Sequence, residues 1–275
     1  MESLWKNNTW IIVDRPKDKK VISNRWLYRL KPGIPGVELK RHKARLVARG
    51  FTQQEGIDYD EVFAPVVKHI SIRILMSLVV QEDMELEQMD VKTSFLHGDL
   101  DQELYMEQPE GFEVNPGKDQ VCLLKKSLYG LKQAPRQWNK KFDTFMKNQK
   151  FTRSGHDLCM YVKEVGNEEY VYLLLYVDDM LLAAKSMSEV NKLKEVMSLE
   201  FEMKDMGAAS RILGIDIKRN REEGTLTLSQ SNYLEKVIQR FSMGGAKVVN
   251  TPIGAHFKLS SIKDDYERID TESVP

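Results

Sequence analysis

Cysteine is scarce: Cys122 and Cys159 are the only two among 275 residues. They stand far apart, and neither has a His or a second Cys at metal-ligand spacing. A disulfide scaffold is excluded, and two buried or free thiols fit a reducing compartment. Long apolar runs are missing as well. No stretch approaches the roughly 18 residues a membrane-spanning helix needs. The opening "MESLWKNNTW" lacks the basic-then-apolar layout of a signal peptide. There is no internal repeat and no low-complexity segment. Net charge is also missing, with 41 Lys and Arg against 41 Asp and Glu.

That zero hides segregation. Residues 1–50 carry +9, residues 51–120 carry −12, residues 121–153 carry +8, and the remainder −5. Two basic blocks bracket an acidic one. Ordinary solvated faces would produce this pattern. So would a polyanion site with basic walls around a carboxylate floor.

Period-two and three-to-four spacing sort most of the chain into elements. Residues 9–13, 21–30 and 37–51 read as strands, with "KPGIPG" (31–36) a loop between the last two. In an extended segment Lys43 and Arg45 share one face. Residues 71–83 read as a helix with Ser71 as its N-cap. "MELEQMDV" (84–91), "QELYMEQ" and "VCLLKK" read as strands. Residues 134–149 form a helix with Pro135 in its first turn and Trp138, Phe142, Phe145 and Met146 as its buried stripe. "DLCMYVKE" and "EYVYLLLYV" make a hairpin through "VGNE", followed by "MLLAAK" as a third strand. A helix over 188–201, two strands around "NREEG" and a helix over 231–241 complete the pattern, and the tail after Thr251 is polar. The fold class is α+β, with a mainly antiparallel sheet and helices on one side.

"LLLYVDDMLLAA" (173–184) sets two adjacent aspartates in an apolar stretch. Neither Asp178 nor Asp179 has a basic residue close by in sequence. An acidic hairpin turn is one reading, because Asp suits tight turns. The apolar flanks instead point to the end of a buried sheet, where two carboxylates raise each other's pKa unless a cation intervenes. Mg²⁺ prefers oxygen ligands and binds through a few carboxylates plus substrate phosphates. The best third carboxylate is Asp90, at the end of a strand and followed by "KTSFLHG".

These residues carry a resemblance. "YVDD" (176–179), "MDVKTSFLHGDL" (89–100) and "KKSLYGLKQAPRQWNKKFD" (125–143) resemble the reverse transcriptase of copia-type LTR retrotransposons. "KARLVARGFTQQEGIDYDEVFAPVVK" (43–68), "LYMEQPEGF" (104–112), "MKDMGAASRILGIDI" (203–217) and "LSQSNYLEKV" (228–237) follow in the family's order. The match runs from about residue 3 to about residue 260. "YVDD" alone is weak; the "KSLYGLKQAPRQW" string and the ordered set are specific.

The resemblance implies a polymerase right hand. Residues 1–68 and 108–132 would be fingers, 69–107 and 133–218 palm, and 219–275 a partial thumb or connection. It implies in-line attack of a primer 3′-OH on a dNTP α-phosphate with two Mg²⁺ ions, Mn²⁺ being an alternative. Asp90, Asp178 and Asp179 match the catalytic aspartates, and the Val91 carbonyl is a further metal ligand. Phe95 matches the aromatic that crowds the sugar 2′ position, although a core Phe would look the same. Gln133 matches a glutamine that contacts the nucleotide, or is a helix-cap amide. Lys43 and Arg45 match the basic strand that holds the triphosphate, with Arg49 a weaker third. Tyr176, Val177, Leu213, Gly214 and Ile215 would meet primer and template. Gly214 would permit close backbone approach or mark a bulge. Trp138 and Tyr129 are base-stacking candidates that read better as core.

The implied partners are a primed RNA or DNA template and dNTPs, without a membrane. In the family, capsid-like, protease, integrase and RNase H parts accompany this domain, and assembly is in cytoplasmic particles. None of those parts is recognisable here. "DTESVP" falls about where a connection toward RNase H would begin, so the expectation is a polyprotein fragment or a short frame from a degraded element. The alternative function is a catalytically silent remnant that at most binds nucleic acid. A different palm-fold enzyme, such as a nucleotide cyclase, fits the "KQAPRQW" and finger strings poorly.

Overall fold

Among the described residues the chain forms fifteen strands and five α-helices. The computed structural model describes residues 1–31 and 40–248. Of the loop expected over 31–36, Lys31 ends a strand and 32–36 lie outside the described residues, as does the polar tail after Thr251. In chain order come α1 (Glu2–Lys6), β1 (Trp10–Asp14), β2 (Val21–Ile22), β3 (Asn24–Lys31) and β4 (Arg41–Ala48). Then follow α2 (His69–Gln81), β5 (Glu85–Val91), β6 (Asp99–Met106), β7 (Gln120–Lys126) and α3 (Ala134–Asn148). Next are β8 (Thr152–Arg153), β9 (Met160–Gly166), β10 (Glu169–Tyr176), β11 (Asp179–Ala184) and α4 (Met187–Glu200). The last are β12 (Met203–Ala208), β13 (Arg211–Ile212), β14 (Ile215–Asn220), β15 (Thr225–Ser229) and α5 (Ser231–Arg240). Among the described residues no helix is long and apolar enough to cross a membrane.

The chain divides into two compact units, Met1–Ala209 with Asn220–Thr225, and Ser210–Arg219 with Leu226–Pro275. In the first unit the central sheet is six-stranded and antiparallel, in the order β12-β5-β11-β10-β9-β8. Its alternation puts Met89, Val91, Leu173, Leu175, Met180 and Leu182 on one face. There they bury against Trp138, Phe142, Phe145 and Met146 of α3 and Val190, Leu193 and Met197 of α4. Lys194 of α4 is nearly buried at that interface. It bonds Glu87 of β5 at 2.7 Å and Asp205 of β12 at 2.9 Å. That ion triad fixes the helix to two strands, and removal of one partner would leave uncompensated charge.

The expectation of helices on one side holds for α3 and α4 but not for α2. Leu174, Leu181 and Ala183 point to the opposite face and are buried too, and α2 lies against β11 with Ile72, Leu75, Met76 and Val79 buried. The start of α2 also differs from expectation. Ser71 is buried inside the first turn, and the N-cap is Lys68. A carboxylate distant in sequence takes the capping role: Asp157 Oδ2 accepts the Lys68 N–H at 2.9 Å. Strand β12 escapes period-two reading because it is a largely exposed edge strand.

A second sheet, β1-β7-β6-β2, is antiparallel except for the β2–β6 pair. With Leu46 and Ala48 of β4 it encloses a second core around Ile22, Leu104, Met106, Cys122 and Leu124. Strands β3 and β4 form a separate antiparallel ribbon. Phe95 sits on a 3-10 turn, Ser94–His97, and packs against both cores.

The second unit, taken by itself, holds the sheet β13-β14-β15 and the amphipathic helix α5, which buries none of its residues. "RILGIDIKR", expected as one strand, is a hairpin. Ile212 pairs with Ile215, and Leu213 and Gly214 take φ of 51° and 75° in the two-residue turn. Positive φ at both central positions is the signature of a tight hairpin turn, and Gly supplies it at no steric cost.

Candidate active site

Strand register brings the three aspartates together. Asp179 opens β11 and is the direct cross-strand partner of Asp90 in β5. Its partner on the other side is Tyr176, the last residue of β10. Only Val177 and Asp178 lie between Tyr176 and Asp179, so Asp178 occupies the turn itself. On the far flank of Asp90 the partner is Lys204 of β12, an exposed cation that local sequence around Asp90 does not suggest.

The turn is tied down from two directions. The Val91 N–H donates to the Asp178 carbonyl at 2.9 Å. The Trp138 Nε1–H donates to the Val177 carbonyl at 2.6 Å. Val177 holds a φ of 55°, a left-handed conformation that a β-branched residue adopts only under strain. Trp138, buried in the core, therefore acts through its indole N–H and not by stacking on a base.

Burial holds the Asp179 carboxyl above the usual carboxylate range, the charges of Asp178 and Asp90 push it further, and a Gln88 hydrogen bond opposes them. A cluster of oxygen donors in mutual repulsion suits a hard divalent cation. Among the described residues no three His, Cys, Asp or Glu side chains converge tightly enough to enclose an ion alone. Mg²⁺ does not require that, because it keeps waters and shares its ligands with substrate phosphates.

Beside the acids stands a mixed aromatic and basic wall. The ring centroids of Phe95 and Tyr129 are 4.8 Å apart. The Arg45 guanidinium lies over the Tyr129 ring, 5.6 Å from its centroid. Register puts Lys43 and Arg45 on one face of the ribbon, as the alternation requires, and adds Arg25 and Arg29 from β3. Arg29 is directly opposite Lys43. Arg25 and Arg29 are not apparent as site residues from the sequence, since their facing depends on the pairing of two strands. Arg49 lies just past the end of β4 and is exposed.

The family model for "Reverse transcriptase (RNA-dependent DNA polymerase)" matches residues 7–255. The chain belongs to that reverse transcriptase family. It is 53% identical over 260 residues to the "Retrovirus-related Pol polyprotein from transposon TNT 1-94" of Nicotiana tabacum, covering 94% of this chain and 20% of that one. It is 38% identical over 255 residues to the corresponding polyprotein from transposon RE1 of Arabidopsis thaliana, covering 92% and 17%. The chain thus spans about a fifth of the length of these curated relatives. A looser likeness is to an apo telomerase from Candida Tropicalis truncated from its C-terminal domain. There the TM-score is 0.37 at 9% identity, over 82% of this chain and 58% of the other.

The resemblance read from "YVDD" and "KSLYGLKQAPRQW" is borne out at the level of the family. Gln133 is buried: its Oε1 accepts from Gln53 at 2.9 Å and its Nε2 donates to the Asp58 carbonyl at 2.9 Å. Each end of the amide thus makes one bond to segment 53–58. Leu213, Gly214 and Ile215 belong to the second unit, where Gly214 is an exposed turn residue. A Cβ added to it would meet nothing of the chain within 4 Å, and its φ of 75° in the turn is what favours glycine.

Proposed function

We propose that this chain is the polymerising domain of a retrotransposon Pol polyprotein and extends a DNA primer on an RNA or DNA template. The observation that carries the reading is the direct register of Asp90 with Asp179 beside a turn that carries Asp178. Asp90, Asp178, Asp179 and the Val91 carbonyl would hold two Mg²⁺ ions, which would supply activation of a primer 3′-OH and neutralisation of triphosphate and pyrophosphate charge.

The chain's own residues supply position and charge. Lys43 and Arg45, with Arg29, attract the triphosphate from one face of the ribbon. Phe95 crowds the sugar 2′ position and rejects ribonucleotides by contact. Tyr176 and Val177 present the hairpin to the primer end. Leu213 and Gly214, in the turn closed by Ile215, meet the primer backbone. The tethers from Trp138 and Val91 keep the turn still, so that little reorganisation accompanies reaction. Cytoplasmic particles are the setting this function implies.

Primer extension by the purified chain, with dNTPs, Mg²⁺ and a primed RNA template, tests the reading. Extension by the wild type and its loss in Asp178→Asn with Asp179→Asn is the expected result. A folded chain that binds template-primer without extending it would instead identify a silent remnant.

A further inference from the structure

Tyr129 has no role in that scheme, yet it occupies the joint of the site. Its ring touches the Phe95 ring on one side and lies under the Arg45 guanidinium on another. Its backbone is locked to β4: the Ala48 N–H donates to the Tyr129 carbonyl at 2.8 Å. The next residue, Gly130, has a φ of 92°, and a Cβ there would collide with the Ala48 carbonyl oxygen. The backbone that carries the ring is therefore fixed to the basic ribbon.

Phe95 is less well held. It rides a four-residue 3-10 turn entered through Thr93 at a φ of 56°. Away from Tyr129 it borders a cavity of about 420 Å³, lined also by Val62, Phe63, Trp138, Leu175 and Val177. A ring with open space beside it can rotate away from a substrate atom. Tyr129 is its packed aromatic support, and such ring pairs attract beyond their area burial.

We infer that Tyr129 is a positioning residue for sugar selection, backing the Phe95 ring and coupling it to Arg45. This rests on the roles given to Phe95 and Arg45 above.

The test compares kcat/KM for a dNTP and the matching rNTP on a primed template, using the full chain. Tyr129→Ala should lower the dNTP-over-rNTP ratio by roughly tenfold, chiefly by improving rNTP use. Tyr129→Phe, which keeps the ring, should hold the ratio. Phe95→Ala combined with Tyr129→Ala should be no less selective than Phe95→Ala alone, because the two act as one device. If thermal melting shows that Tyr129→Ala does not fold, Tyr129→Leu takes its place, with apolar bulk but no flat ring. An unchanged ratio in the folded variant, or fully additive losses in the double variant, overturns the inference while leaving the polymerase reading intact. Absence of dNTP incorporation by the wild type brings down that reading and this inference with it.

Discussion

Asp90 and Asp179 face each other directly across β5 and β11, a like-charge cross-strand pair at the rim of a buried sheet. Such pairs destabilise a sheet. Asp179→Asn should therefore stabilise the protein in divalent-free buffer by about 0.5–1 kcal/mol at neutral pH. It should also lower polymerisation by about a thousandfold or more, as loss of one member of a catalytic set does. The pH dependence has a definite sign. The Asp179 carboxyl is held above its ordinary value, so the folded chain binds its proton more tightly than the unfolded chain. The resulting stability is present below the ordinary carboxylate range and is lost as pH rises through the raised value. Melting temperatures of the two proteins should converge in acid and separate toward neutrality. A constant gap across pH would contradict this electrostatic origin.

Divalent ions should act on stability even without substrate. Mg²⁺ at ten times its dissociation constant should add about 1.4 kcal/mol to the wild type through mass action. Asp178→Asn with Asp179→Asn should abolish that increment. Equal thermal shifts in the two proteins would place the ion elsewhere.

The Arg29–Lys43 pair poses the reverse problem, with cations opposed across a ribbon. Arg29→Gln should leave the free protein as stable as before, or more stable by a few tenths of a kcal/mol. It should raise KM for dNTPs with little change in kcat, and the effect should shrink at high salt. A fall in kcat at unchanged KM would argue against a role in ground-state triphosphate binding.

Trp138→Phe keeps an aromatic ring in the core and deletes the donor to the Val177 carbonyl. The lost hydrogen bond should cost about 1–3 kcal/mol, since it leaves a carbonyl unsatisfied at a strained turn. Polymerisation should fall more than template-primer affinity, measured side by side by extension and by fluorescence anisotropy. Proportional losses in both would point to general loosening of the core.

Much of the fold is legible in the sequence because burial here follows simple periodicity. The alternation in "YVYLLLYV" and the three-to-four spacing of Trp138, Phe142 and Phe145 predict β10 and α3. The misses have physical causes. Ser71 reads as a cap, but the N–H of the true N-cap, Lys68, is bonded by Asp157, 89 positions away. Strand β12 is too exposed to show alternation. The burial of Gln133 against Gln53 and Asp58, 80 and 75 positions away, is likewise invisible in its local window. In the site, the acidic residues are visible one by one. Their register, and the facing of Arg29 and Lys204, depend on strand pairings that no local window contains.

The central sheet also sets an order of events. Strand β5, which carries Asp90, lies between β11 and β12, and both are made long after it. As the chain leaves the ribosome, β5 lacks β11 until Ala184 has emerged and β12 until Ala208 has. Pairings of such long range are slow, and apolar strand edges stay exposed while they wait. Polymerase competence should therefore appear late in folding, as a property of the whole first unit. Before β11 docks, the nascent chain carries an acidic strand that has no second carboxylate beside it and no reaction to catalyse.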